Sequence, residues 1–260
     1  YGIGNVAVKL VGFILIPLYT DAEYFSTADY GLMGLLEVTS QILIAVMGLS
    51  LYSGLIRWYW DAEYRDKQKT IFFTTLLFTI LTSLCIGSVL WLNVGELSAL
   101  LVQQEGYSLG GELPYILQLL ILTSMLGAVV EVPQNLLRLQ RKPIYYSLTN
   151  IVRLFVTLVL TIYFTISLHR GVSGVYEAQL VGIVIQLLMV LPLVIKNSSC
   201  RVDRRCTIQL LAYSYPLVFP AIVGSLLTVF DRYIINHFQG LDDVGFYSLG
   251  YKVGNTLKVF

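Results

Sequence analysis

The sequence predicts an all-α integral membrane protein, a multi-span helical bundle with two parallel six-helix repeats around a central cavity, the second repeat truncated in this chain. Three observations carry that prediction. Hydrophobic residues make up 56% of the 260 and charged residues only 13%, whereas about 25% of the residues of a soluble globule are charged. The apolar residues come in runs of about 20, the length that crosses a hydrocarbon core ~30 Å thick. Finally, a short motif is written twice. PLYTDAEYFSTADYGL near the start and RYIINHFQGLDDVGFYSLG near the end set Tyr19 and Tyr233, Asp29 and Asp243, and Gly31 and Gly245 at one constant offset of 214 residues.

Taken in order, the apolar runs place spans at about 1–20, 30–52, 70–94, 114–137, 145–168, 174–195 and 211–235, with an eighth beginning near 246. Pro114 and Pro143 stand in the first turns of their spans, where a missing N–H costs nothing. Pro17, Pro133, Pro216 and Pro220 fall inside spans, where each removes a backbone hydrogen bond and invites a kink. Bending in the first and seventh spans, which are equivalent in the repeat, would let one bundle rock against the other; kinked membrane helices are also commonplace. No span is followed by a small-residue cleavage site, so no removable signal peptide is expected. The chain opens on Tyr1 and closes inside an apolar run, which reads as cut at both ends.

Lysine and arginine set the orientation. One alternate set of loops holds Arg57, Arg65, Lys67, Arg138, Arg141 and Arg201 among others, and the opposite set holds only Arg170. Positively charged loops resist translocation, so the first set faces the cytoplasm. Six spans then separate the two copies of the motif, and an even number of crossings returns the chain to the same side. Both copies therefore enter the membrane in the same direction, as a parallel repeat requires. The expected division is a first six-helix bundle with its cytoplasmic loop over 1–209, and the opening one and a half helices of a second bundle over 210–260.

A net charge of +1 argues against a nucleic-acid partner, which needs a concentrated basic face. Cys85, Cys200 and Cys206 lack zinc-type spacing, and neither a metal nor a cofactor is implied.

The runs GNVAVKLVGFILIPLYT, FSTADYGL, GLSLYSGLIRWYW, LLRLQRKPIYYSLTNIVR and FDRYIINHFQGLDDVGFYSLGYK resemble the polysaccharide-biosynthesis flippases. These are the O-antigen and capsule repeat-unit translocases of the multidrug/oligosaccharidyl-lipid/polysaccharide (MOP) exporter superfamily. The resemblance covers most of the chain and implies a dozen or more spans in two bundles around a cavity, about half of them absent here. It also implies a cargo of oligosaccharide on polyprenyl pyrophosphate, flipped from the cytoplasmic to the outer leaflet of the inner (plasma) membrane by alternating access coupled to an ion gradient. The expected partners are that lipid-linked oligosaccharide, the membrane lipids and a proton or sodium ion.

Candidate site residues are the ionisable ones inside spans, because a charge at the bilayer centre costs about 2.5–3.5 kcal/mol or more. Lys9 lies about 16 Å below the outer end of the first span, close to the midplane. With Arg153, Arg232 and Lys252 it forms the candidate substrate-binding set, a cationic lining suited to an anionic cargo. Each has a blander reading beside it. Arg232 is near enough to the boundary to snorkel, and Arg153 could neutralise Glu131 across facing helices. Glu37, Glu131 and Asp231 are the interior carboxylates on which ion coupling would draw, and Arg57 marks a cytoplasmic entrance. Drug and sodium exporters of the superfamily usually carry a carboxylate in the first span, where this chain has Lys9; that favours lipid-linked sugar over multidrug export, the alternative function. A membrane glycan polymerase or ligase is less favoured, since the outer loops are short and His169 and His237 stand in no nucleophile–base or metal spacing. No enzymatic activity is expected. A non-transporting scaffold, with the charges as structural glue, is the remaining reading.

Overall fold

The computed structural model describes residues 15–101, 111–199 and 201–257. They form α1 (Ile16–Tyr19), α2 (Thr27–Gly48), α3 (Leu51–Trp58), a 3-10 turn (Ala62–Lys67), α4 (Gln68–Leu92), α5 (Val94–Leu101), α6 (Leu113–Leu139), α7 (Pro143–Ile162) running into a π turn (Tyr163–Ser167), α8 (Gly171–Asn197), α9 (Arg204–Phe238) and α10 (Leu241–Leu257). Six helical segments of the described residues are long and apolar enough to cross a membrane. The architecture is thus all-helical and multi-pass, with most later spans where the apolar runs placed them; the span expected over 1–20 lies mostly outside the described residues.

The repeated motif has a local explanation. Ser26 caps α2 by accepting from the Asp29 backbone N–H at 3.1 Å, while the Asp29 carboxylate accepts from the Ser26 N–H at 2.9 Å, a reciprocal capping box. Asp29 is the third residue of α2 and Asp243 the third of α10, so the motif marks the start of a helix in each copy. Carboxylates there also meet the positive end of the helix dipole.

Three expected boundaries are corrected. The second span is not continuous to 52: Leu49 and Ser50 adopt the left-handed conformation, with φ of 45° and 51°, and split α2 from α3. That backbone is costly for non-glycine residues, and it is held from outside by the Ser50 hydroxyl, which donates to the Leu217 carbonyl at 3.3 Å. The third span ends at Leu92, and α5 continues it after Asn93. The seventh helix begins at Arg204 rather than near 211 and runs unbroken for 35 residues, about 52 Å, through Pro216 and Pro220.

Two apolar cores stack along the first bundle, one around Leu32, Leu36, Ile116, Leu120 and Tyr176, the other around Leu55, Phe72, Leu136 and Leu193. Below the second core the basic loops are knitted into one layer. Lys67 donates to Asp203 at 2.6 Å, Arg205 pairs with Glu63 at 3.1 Å, and Gln140 donates to Asn197 at 2.9 Å. The linker between bundles is therefore clipped to the first bundle. The Lys67 ammonium, with the Arg205 backbone N–H, holds the Asp203 carboxyl down at about 2. Because this folded value lies below the roughly 3.9 of a free aspartate, the clip contributes at neutral pH and is lost as pH falls from about 4 towards 2. Asp203→Asn is expected to abolish that acid-dependent step in the thermal midpoint; an unchanged step would assign it to other carboxylates.

At the opposite end α2 and α10 cross in close contact, in a pairing that follows the repeat. A Cβ placed on Gly31 would lie 1.9 Å from the Leu241 carbonyl oxygen and 3.0 Å from the Gly245 nitrogen. One placed on Gly245 would lie 2.5 Å from the Thr27 carbonyl oxygen and 3.3 Å from the Gly31 nitrogen. Thr27 and Leu241 are separated by the same offset of 214, as are Gly34 and Ser248, which also face each other. Reciprocal contact of equivalent residues is what a two-fold axis through the crossing produces.

Candidate functional site

Below this crossing the seam between the bundles is lined by tyrosines and charges. The buried Tyr19 ring, at the end of α1, packs edge-on against Phe25 at 5.5 Å and tilted against Tyr30 of α2 at 6.1 Å. Lys252 reaches across from α10 and sets its ammonium 5.6 Å from the centroids of both Tyr19 and Tyr30. These are cation–π distances. The same nitrogen lies 3.9 Å from a carboxylate oxygen of Glu37, seven residues and two turns along α2 from Tyr30. That is an ion pair without hydrogen-bond contact, which would need about 2.7–2.9 Å. Both side chains keep substantial exposure, so the pair spans an accessible seam.

Arg232, near the outer end of α9, is 8% exposed. The snorkelling alternative is thereby corrected: helix rotation points this residue inward, where its guanidinium lies 5.0 Å over the Tyr251 ring. Among the described residues its Nε has no hydrogen-bond partner, an unusual condition for a buried cation. Asp231 does not pair off with it; its carboxylate accepts from the Tyr247 hydroxyl and from the Arg232 backbone N–H at 2.8 Å. Tyr233 and Thr39 join their hydroxyls at 2.7 Å, tying α9 to α2. Among the described residues two cations, two carboxylates and five tyrosines thus share one region, balanced in charge.

The other candidates lie elsewhere. Arg153 donates to Gln186 at 3.1 Å, in a chain that continues through Asn150 to Gln134 and Thr149 inside the first bundle. No ion pair joins it to Glu131 among the described residues, so that neutralisation is also corrected: the guanidinium meets the Gln186 amide rather than a carboxylate. Glu131 lies half-buried in α6 against the inner end of α2 near Gly48. Arg57 is exposed on α3, 5.3 Å from the Trp58 ring centroid. Lys9 lies outside the described residues. The amide chain and the tyrosine cage were missed in the sequence; Gln134, Asn150 and Gln186 inside apolar runs were the available signal, since such groups need partners in a membrane.

The family model described as "Polysaccharide biosynthesis protein" matches residues 1–260. No curated protein matches the chain in sequence. Among solved structures, the chain is similar to an outward-facing multidrug resistance MATE family transporter of the MOP superfamily at a TM-score of 0.69 and 15% identity, covering 99% of this chain and 59% of that one. An inward-facing MATE transporter follows at 0.66 and 15%, covering 96% and 57%. A MOP superfamily transporter from Pyrococcus furiosus, whose reversed pocket polarity is taken to suggest a different function, superposes at 0.64 and 16%, covering 99% and 60%. The chain therefore spans somewhat under two thirds of the length of these transporters, and at such identities the likeness concerns the fold.

Proposed function

The chain belongs to the polysaccharide biosynthesis protein family, and from that premise we propose that it moves an oligosaccharide carried on polyprenyl pyrophosphate from the cytoplasmic to the outer leaflet of the plasma membrane. The observation that carries this reading is Arg232, buried in the seam beside Tyr251 with Nε unpartnered. A guanidinium in that condition suits a phosphate, which accepts the missing hydrogen bond and supplies the opposite charge. Lys252 offers a second cation, 3.9 Å from the Glu37 carboxylate. The tyrosine faces around them are amphipathic surfaces of the kind on which sugar rings stack. The cargo's charged and hydroxylated part would occupy the seam while its chain stays in lipid.

The test is flipping of a labelled lipid-linked oligosaccharide by the full-length protein in vesicles. Lys252→Ala is expected to lower the rate about tenfold or more, the loss of one charge-assisted contact, at unchanged protein level. Lys9→Ala should likewise deplete surface polysaccharide in cells. Normal flipping by Lys252→Ala would remove Lys252 from the site, and efflux of a cationic dye without flipping would replace this reading by drug export. Ion coupling through Glu37 or Glu131 predicts a flattened dependence on external pH in the Glu37→Gln or Glu131→Gln protein; full flipping at every pH in both would exclude it.

A further inference from the structure

The amide chain inside the first bundle begins at a charge that no described residue balances. Arg153 lies 10 residues after Pro143, where α7 starts, and 14 before Ser167, where its π turn ends, or about 15 and 21 Å along the helix. That is mid-depth in a ~30 Å hydrocarbon core, away from the headgroups at either end. Its Nη1 donates to the Gln186 Oε1 at 3.1 Å. A guanidinium has about five N–H donors, and among the described residues no second hydrogen bond or ion pair reaches this one. Every further link is neutral. Gln186 donates to the Asn150 Oδ1 at 3.1 Å, Asn150 to the Gln134 Oε1 at 3.4 Å, and Gln134 to the Thr149 hydroxyl at 2.9 Å.

The carboxylates of the spans are engaged elsewhere. Glu37 meets Lys252 and Asp231 meets Tyr247 in the seam, Glu177 pairs with Arg170, and Glu131 lies against Gly48. Outside the described residues the sequence has one carboxylate, Glu105, which stands between α5 and α6. A full positive charge at this depth is costly unless an opposite charge meets it, and one neutral amide supplies none. The room beside Arg153 is small. α7 and α8 touch at Gly182, where an added Cβ would lie 2.2 Å from the Thr157 hydroxyl and 3.3 Å from the Arg153 carbonyl oxygen. Arg153 itself is only half-buried, so part of its side chain can be reached.

We propose that the Arg153 guanidinium binds one small inorganic anion, a halide such as chloride, within the first bundle between α7 and α8. The amides are its support. Because a guanidinium only donates, the chain can run in one direction only, each amide accepting from the link before and donating to the next. That order holds one edge of the guanidinium on Gln186 and leaves its other donors for the anion. A monatomic anion suits helices packed this closely, whereas sulfate or phosphate would have to part them. The site sits on α7 and α8, apart from the seam with α9 and α10, and it stands whatever the protein carries.

The test is the thermal midpoint of the full-length protein in phosphatidylcholine discs as chloride replaces gluconate at constant ionic strength. Chloride at about ten times its half-saturating concentration is expected to raise the midpoint by about 3 °C. Bromide should act alike and sulfate should not. Arg153→Gln should abolish the chloride-dependent rise, and Gln186→Leu should raise the half-saturating concentration about tenfold, the loss of the contact that fixes the guanidinium. An equal rise in Arg153→Gln would be a general salt effect and would overturn the site. No chloride dependence in the unaltered protein would overturn it too, leaving the charge to water or to another part of the full-length chain. Loss of the dependence when phosphatidylglycerol is added would replace the free anion by a lipid phosphate. Should Arg153→Gln fail to fold, anomalous scattering from bromide in crystals of the unaltered protein decides: a peak at hydrogen-bond distance from the Arg153 guanidinium is expected, and its absence overturns the proposal.

Discussion

Gly31→Ala is expected to stop transport while leaving the protein inserted and abundant. The added methyl would sit 1.9 Å from the Leu241 carbonyl oxygen, a backbone atom with no rotamer to retreat into. The two helices must then part, and on the flipping proposed above the variant loses a closed end of the bundle that alternating access would need. Overpacking of this kind costs about 1–3 kcal/mol, enough to shift a two-state equilibrium by roughly 5- to 150-fold. Gly245→Ala should behave alike, because the crossing is reciprocal. Gly34→Ala should be mild: its nearest neighbour at 2.4 Å is the Ser248 hydroxyl, the end of a side chain that can turn away. The measurement pairs flipping with the reactivity of a cysteine at position 248 towards an impermeant thiol reagent from outside. Flipping at the normal rate in Gly31→Ala would show that the crossing is no part of the cycle.

Arg232→Ala carries the second large effect. This guanidinium is buried at 8% exposure, lies over Tyr251 and leaves Nε unpartnered. If that nitrogen receives a phosphate, its removal should raise the cargo concentration at half-maximal transport by at least about tenfold, since a hydrogen bond to a charged group contributes ~1.5–3 kcal/mol. Arg232→Lys keeps the charge but lacks the planar fork, and should recover only part of the affinity. Arg232→Met keeps apolar bulk over the tyrosine ring and separates packing from binding. A purely structural arginine would give a lower thermal midpoint with the half-maximal concentration unchanged in all three proteins, and that outcome would remove Arg232 from the site.

Much of the architecture was legible before any coordinates. Span positions, the prolines in the first turns of α6 and α7, and the Asp29 and Asp243 helix starts all follow from residues close together in sequence. The break at Leu49 and Ser50 was not legible, because it is held by a carbonyl 167 residues away. The candidate site was legible only as a set of unusual residues. Charges inside apolar runs pointed to Lys252, Glu37 and Arg232, yet the same rule also selected Arg153, which turned out to be engaged with Gln186 within one bundle.

The sequence alone therefore determined the all-helical, multi-pass class and the repeat of the helices, since apolar length acts segment by segment against the bilayer. Tertiary structure alone decided which charges meet. Rotation of each helix about its axis, and a glycine crossing that admits only backbone against backbone, bring Lys252 to Tyr19, Tyr30 and Glu37 and turn Arg232 inward. Such partnerships depend on packing between distant segments, a property no single span possesses.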